Sequence, residues 1–402
     1  MEKTERGDFV KRIYLDNAST TFPKPREVPE AMCRYMTETG SNINRGCYDR
    51  AYETEELVYE TRQMLSSLFD GGDCRNVVFT KNVTESLNVI LKGFLKPGDH
   101  VIVSSMEHNA VMRPLVELSR AGVSFSRARC LSDGRLAGAE ALEEVLKPNT
   151  RAVVMTHASN VCGTMMPYRL VGEFCREHGL KFIADTAQTA GVWPISMEEM
   201  KIDALAFTGH KGLLGPQGIG GFLLREDMVS QVEGLILGGT GSVSHTEVMP
   251  DFMPDKFEAG TMNLPGIIGL HAGISWIQKT GMEQLRNHEL TLTEQFLKGL
   301  KSMDPDEKRI RIAGITSAGT DGMAAGQRTG VVSVQTLRRE LSETAYHLDA
   351  DYGIMTRVGL HCAPSAHQTL GTFPTGTIRF SFGWQNTPEE VEAALEALDK
   401  LA

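Results

Sequence analysis

Several features are missing from this 402-residue sequence, and each absence narrows what the chain can do. No apolar stretch reaches the roughly 20 residues a membrane-spanning helix needs, so no membrane role is expected. The opening MEKTERGDFVKR is charged and has no apolar core, unlike a secretory signal, and the cytoplasm is the expected location. No Lys/Arg run occurs, and a net charge of −10 supplies no global field for nucleic acid or an anionic membrane. Cysteine is sparse and odd in number: Cys33, Cys47, Cys74, Cys130, Cys162, Cys175 and Cys362, with no CxxC pair. That pattern predicts neither a disulfide framework nor a metal site. There is no internal repeat and no low-complexity tract. What remains, 41% hydrophobic and 23% charged, is an ordinary globular composition, too long for one core, so two domains are expected.

Short apolar runs alternate with amphipathic patterns between Asn76 and Leu224, which predicts an α/β domain with a mainly parallel sheet. The expected strands are Asn76–Thr80, His100–Ser104, Ala152–Thr156, Lys181–Ala184, Ala204–Phe207 and Gly220–Leu224. The expected helices include Thr84–Gly93, Met112–Ala121, Ala139–Leu146 and Tyr168–His178. From about Pro265 the character changes. Helices over 267–280 and 281–303, strand-like stretches at 309–312, 330–334 and 377–381, and a closing helix over 388–401 predict a smaller α+β domain. Residues 238–260 are the least regular and are expected to form a rim or subunit-contact loop. Ligands of open α/β sheets bind beyond the carboxyl ends of the strands, and the polar clusters of this chain fall there.

The stretch DALAFTGHKGLLGPQGIGG is the most informative. A buried strand runs into Thr208, Gly209, His210 and Lys211. Burial lowers a lysine pKa from about 10.4 and frees a neutral amine, which suits Schiff-base chemistry; a surface loop lysine is the plain alternative. The glycine string lacks GxGxxG spacing, so a dinucleotide site is not expected. Asp185, at the end of the strand in FIADTAQ, is placed to pair with a protonated pyridine nitrogen, or to act as a local cap. Asn82-Val83-Thr84 opens a helix whose N–H groups and Thr84 hydroxyl suit a phosphate, Thr84 also being a plausible cap. His108, after the second strand, suits stacking on a flat ring, or is a satisfied loop histidine. Together these residues describe a pocket for a flat phosphorylated ring.

The motifs also carry a resemblance. YLDNASTT (14–21), NRG (44–46), NVTESLN (82–88), MEHNA (106–110), HASNVCG (157–163), ADTAQ (184–188), TGHK (208–211), FEAGTMN (257–263), RVGLHCAP (357–364) and IRFSFGWQNT (378–387) occur in this order. The chain resembles the class V aminotransferases of fold-type I, in particular the cysteine desulfurase/selenocysteine lyase branch. The resemblance implies pyridoxal 5'-phosphate on Lys211, with Asp185 on the ring nitrogen and His108 stacked on the ring. Gln188 and Asn160 are implied near the ring hydroxyl, Asn160 also near the substrate carboxylate. Thr84, Thr208 and His210 are implied to hold the phosphate, and Thr261 to reach the phosphate of a second subunit in a homodimer. It further implies a mainly parallel, mixed seven-stranded sheet flanked by helices (large domain, 15–265) and a smaller α+β domain (266–402 with 1–14). Val83 stands where relatives often carry a hydroxyl, and Asn44-Arg45 where many carry histidine, so those contacts carry no assignment.

In RVGLHCAP, Cys362 lies between Arg357 and Arg379 in sequence, and nearby cations raise the thiolate fraction of a cysteine. Arginine offers a planar fork to a carboxylate, and Arg379, with Arg357 second, is expected to clamp the substrate's. His361 is expected to point away from Cys362, as neighbours in an extended segment do, and is left without a role. The implied reaction takes L-cysteine to L-alanine: Lys211 removes the Cα proton and the Cys362 thiolate takes the sulfur as a persulfide. The short segment around Cys362 resembles the short-loop group of the branch, which implies a sulfur-acceptor protein that docks close by. L-selenocysteine is the rival substrate. A transaminase indifferent to Cys362, or a scaffold that binds no cofactor, are the more distant readings.

Overall fold

The computed structural model describes residues 2–3, 9–10, 12–44, 46–317 and 327–402. The larger sheet comprises β1 (Val77–Thr80), β2 (His100–Ser104), β3 (Ser124–Ala128), β4 (Thr150–Thr156), β5 (Lys181–Asp185), β6 (Ala204–Thr208) and β7 (Gly220–Leu224). Its spatial order is β1-β7-β6-β5-β4-β2-β3. β7 runs antiparallel to both its neighbours, and every other pair is parallel. This is the mixed, mainly parallel seven-stranded sheet the motifs implied.

The longer helices are α1 (Glu27–Arg34), α2 (Asp49–Phe69), α3 (Val83–Phe94), α4 (Asn109–Arg120), α5 (Tyr168–Glu177), α6 (Leu264–Thr280), α7 (Met282–Met303), α8 (Leu341–Ala350) and α9 (Pro388–Leu401). Alternate strand residues face opposite sides of a sheet, and both sides are apolar here. Ile102, Val153, Met155 and Phe182 pack with α2, α5 and α6 on one side. Val101, Val103, Val154 and Ile183 pack with α3 and α4 on the other. A second sheet, antiparallel throughout, has the order β8 (Ile310–Ala313), β9 (Val331–Thr336), β11 (Thr377–Ser381), β10 (Arg357–Gly359). Ile13 and Leu15 share its core with α7 and α9.

The structure corrects several expectations. β3, α1, α2 and α8 were not anticipated. β3 is a partly exposed edge strand, SFSRA, with no apolar run to announce it. α2 buries Thr54, Thr61, Arg62 and Ser66 alongside Val58, Leu65 and Phe69, so polar residues interrupt its apolar period. The helix expected over 139–146 is regular only at Glu140–Glu143. Leu264, Ile267, Leu270 and Ile274 of α6 belong to the core of the larger sheet. Residues 230–263 carry no helix or strand, as the irregular stretch over 238–260 led one to expect. Among the described residues no helix is long and apolar enough to cross a membrane, and no cluster of metal-ligating side chains occurs.

Candidate active site

Four neighbouring parallel strands, β6, β5, β4 and β2, end on the same edge of the larger sheet. Beyond those ends stand Lys211, then Asp185 and Gln188, then Asn160, then His108. Parallel pairing alone brings together residues spread over a hundred positions of sequence. β1 also ends on this edge and delivers the N-terminus of α3. There the Asn82 side chain accepts the Glu85 N–H at 3.0 Å, while the Lys81 N–H donates to the Glu85 carboxylate at 2.6 Å. Asn82 is therefore the cap, and the alternative reading of Thr84 as one falls away. Thr84 is exposed in the first turn, and Val83 packs against the apolar layer beside α3. Gly220 pairs with both Thr80 and Thr208, and a Cβ there would meet the Asn82 Cα at 2.8 Å. Its bare backbone lets the α3 turn approach the strand that carries Thr208.

Lys211 is half-buried, and loss of water pushes its amine down to about 8. Arg379 adds to that effect, while Asp185 and Asp16 oppose it. The backbone at this position is tightly held. The His210 carbonyl accepts from Thr21 N–H at 3.1 Å and Lys24 Nζ at 2.5 Å, and the Lys211 carbonyl accepts from Thr21 Oγ1 at 3.0 Å. Asp185 is buried, accepts one backbone N–H from Ala187 at 3.0 Å, and has no ion-pair partner among the described residues. Desolvation raises its pKa. The Thr208 hydroxyl and the His210 Nδ1 are buried and, among the described residues, lack hydrogen-bond partners. An unpaired carboxyl and two orphaned polar atoms on one sheet edge call for a polar guest, because buried polar groups are otherwise satisfied.

His108 caps α4: its Nδ1 accepts the Ala110 N–H at 3.0 Å. That bond places the proton of the neutral ring on Nε2, and burial lowers the pKa to about 4, which keeps the ring neutral. Beneath it Glu107 is fully buried, accepting from Ser104 Oγ at 2.5 Å and from the Thr156 N–H at 3.0 Å. Gln188 donates to the Ala18 carbonyl at 3.2 Å.

Cys362 stands beside His108. Its carbonyl accepts the Asn109 N–H at 2.8 Å, and the preceding carbonyl, of His361, accepts Asn160 Nδ2 at 2.7 Å. The thiol-bearing residue is exposed, while His361 is buried. The expectation of an extended segment is corrected: His361 and Cys362 have φ of 47° and 56°. Side chains still diverge, but through a left-handed turn that costs about 1–2 kcal/mol per residue.

Arg357 and Arg379 are direct cross-strand partners in β10 and β11. Like charges so placed repel. Asp16 answers both, at 3.1 Å from Arg357 Nη2 and 2.9 Å from Arg379 Nη2. Arg379 also donates to the Asn160 carbonyl at 3.0 Å and to Ser19 Oγ at 2.6 Å, which leaves its buried Nε without a partner among the described residues. Asp16 was missed in the sequence reading. It is the one acid in YLDNASTT, and a search for a counter-charge to two arginines would have found it. Thr261 is exposed and lines a cleft with Lys81, Glu85 and Gly218. Asn44 donates to the Thr240 carbonyl at 2.9 Å, and Arg45 lies outside the described residues.

Known proteins share both the sequence and the architecture. A probable cysteine desulfurase of Methanothermobacter thermautotrophicus is 32% identical, with 97% of this chain and 94% of the relative covered. A cysteine desulfurase of Haloferax volcanii is 30% identical, covering 98% and 90%. The apo structure of a cysteine desulfurase from Thermococcus onnurineus NA1 superposes with a TM-score of 0.88 at 30% identity, over 97% of this chain and 94% of that one. The family model described as Aminotransferase class-V matches residues 13–394, from the strand residue before Asp16 into α9. With every motif of the site inside that span, the chain belongs to the class V aminotransferase family, a family that generally works with pyridoxal phosphate.

Proposed function

We propose that this chain is a cysteine desulfurase that converts L-cysteine to L-alanine and holds the released sulfur as a persulfide on Cys362. The observation that carries the reading is the joint placement of a lowered-pKa lysine and an exposed cysteine along one rim, the cysteine's backbone bonded to the residue after His108. Bound pyridoxal phosphate supplies an aldehyde for the substrate amine and a cationic ring that accepts the electron pair released at Cα. Lys211 would hold it covalently, Asp185 would pair with the ring nitrogen, and His108 would lie against the ring. Gln188 and Asn160 are assigned to the ring hydroxyl. The phosphate falls to Thr84, Thr208 and His210, and it would satisfy the orphaned Thr208 hydroxyl and His210 Nδ1. Thr261, facing outward, is assigned to the phosphate of a second subunit in a homodimer.

The residues of the chain do the rest. Arg379, through Nε, and Arg357, half-exposed at the rim, meet the substrate carboxylate together with Asn160. The neutral Lys211 amine takes the Cα proton. Cys362 Sγ attacks the substrate sulfur: an S–S bond forms, the Cβ–S bond breaks, and its electron pair stays with carbon, which then gains a proton to become alanine. One cysteine and one enzyme thiol thus give one alanine and one persulfide. Because the Cys362 turn is held at both carbonyls, the sulfur is handed over in place to an acceptor protein that docks close by. We also assign α6 to the larger of two domains, which moves the division between them to Gly281. Cys33, Cys74, Cys130, Cys162, Cys175 and Cys362 form no disulfide, which is compatible with a reducing cytoplasm.

The direct test is product analysis with L-cysteine and L-selenocysteine. Equimolar alanine and bound sulfur from L-cysteine are expected; turnover of L-selenocysteine alone would transfer the assignment to a lyase. A second expectation concerns pH. Uptake of pyridoxal phosphate by cofactor-free protein, followed by visible absorption, should quicken with pH up to about 8 and then level off, since the Lys211 amine is protonated below and neutral above. An unshifted lysine would keep gaining to about 10.4. A rise persisting beyond pH 9 rules out the lowered amine.

A further inference from the structure

Two adjacent residues with side chains, His361 and Cys362, are both held at positive φ. Such backbone persists only where the surroundings over-determine it, and it concentrates at functional sites. Three hydrogen bonds hold the main chain of this turn without the imidazole: Asn160 Nδ2 on the His361 carbonyl and the Asn109 N–H on the Cys362 carbonyl come from elsewhere, and the Ala363 N–H on the Leu360 carbonyl closes the turn itself. Any side chain at 361 would leave those in place. The fourth hold is specific to the imidazole. His361 Nε2 lies 3.1 Å from Thr377 Oγ1, inside the core of the second sheet. Thr377 is the register partner of Gly359, three positions before the cysteine, so strand pairing holds Gly359 and the ring holds His361 to the same residue. The short helix after the turn, Pro364–Thr369, is itself fixed to the His108 loop through Thr369 Oγ1 and Ser105 Oγ at 2.9 Å.

We propose that His361 is a positioning residue for Cys362: by docking on Thr377 it holds the left-handed pair that keeps the sulfur turned out toward the substrate. The inference rests on the desulfurase reading and adds a residue to it. Burial first, then Arg379, His367 and Arg357, push the His361 ring down to about 2 against the opposing bond with Thr377, so the ring stays neutral and serves by shape and hydrogen bonding, not by proton transfer. His367, whose ring centroid is 5.6 Å away and which is bound to Thr372 at 2.7 Å, backs the same wall.

The test uses the holoenzyme and leaves position 362 intact. Thr377→Val keeps the shape and removes the hydroxyl; Thr377→Ser keeps the hydroxyl. Thr377→Val is expected to slow alanine formation in a single turnover about tenfold, the size of one lost hydrogen bond. Its cofactor absorption, its spectral response to L-cysteine and the form of its pH profile should match the parent, and Thr377→Ser should return to within about twofold. His361→Asn, which tolerates positive φ but cannot reach Thr377, should show the same loss. Parent-like rates in both Thr377→Val and His361→Asn overturn the inference, as does a loss that falls equally on cofactor uptake. Parent-like turnover of L-cysteine by Cys362→Ala would bring down the desulfurase reading itself and this inference with it.

Discussion

Lys211→Ala is expected to abolish turnover of L-cysteine, by a factor on the order of 10⁴ or more, and to yield a colourless protein. Two functions disappear at once: covalent attachment of the cofactor and the base for the Cα proton, the second of which alone contributes about 10²–10⁴. Lys211→Arg should fare no better, because a guanidinium stays protonated and neither attacks an aldehyde nor accepts a proton. The cofactor-free fold should survive. The lysine amine is disfavoured as a cation in its surroundings, so its removal relieves a cost that is full below about pH 8 and fades as pH rises toward 10.5. Thermal melting of the cofactor-free variant should therefore match or exceed that of the parent. Visible absorption together with measurable desulfuration in Lys211→Ala would sink the assignment.

Cys362→Ala should retain the colour of the holoenzyme and its spectral change on adding L-cysteine, yet lose at least about 100-fold in alanine formation, or ~2.7 kcal/mol of barrier. The separation is possible because Cys362 is exposed and no side chain packs on its sulfur as part of a core. Alanine keeps the Cβ, so the left-handed turn is no more strained than before. With L-selenocysteine, whose selenium leaves more readily, the same variant should lose less. A uniform loss with both substrates would mean that the thiol serves structure instead of sulfur transfer, and no loss with either would return the chain to the transaminases of its family. Mass spectrometry of the parent after one turnover should place one extra sulfur on the peptide containing Cys362.

Much of the site was visible from local pattern. Lys211 follows a run of five buried strand residues, and Asp185 closes another. A lysine or aspartate at the end of such a run has few places to go but the edge of a sheet. β2, β7, β11 and α9 were delimited to the residue because apolar runs or a Thr-Pro helix start bound them. α2 was hidden because its inward face mixes threonine, serine and arginine with aliphatics. Arg62 is tolerated there because Glu258, far along the chain, pairs with it at 2.6 Å and the Val77 carbonyl accepts a further N–H. β3 was hidden because an edge strand need not be apolar.

By itself, then, the sequence determined the class of sheet, six of its seven strands and which residues stand at their ends, since these follow from the period of apolar residues and the chemistry of turns. Only tertiary structure decided how those ends meet. Asp16 reaches Arg379 across 363 positions, and no local signal couples them. The left-handed pair at His361 and Cys362 contains no glycine to betray it; bonds from Asn109, Asn160 and Thr377 hold it. Periodicity acts between neighbours in the chain, whereas electrostatic pairing and backbone strain are settled among neighbours in space.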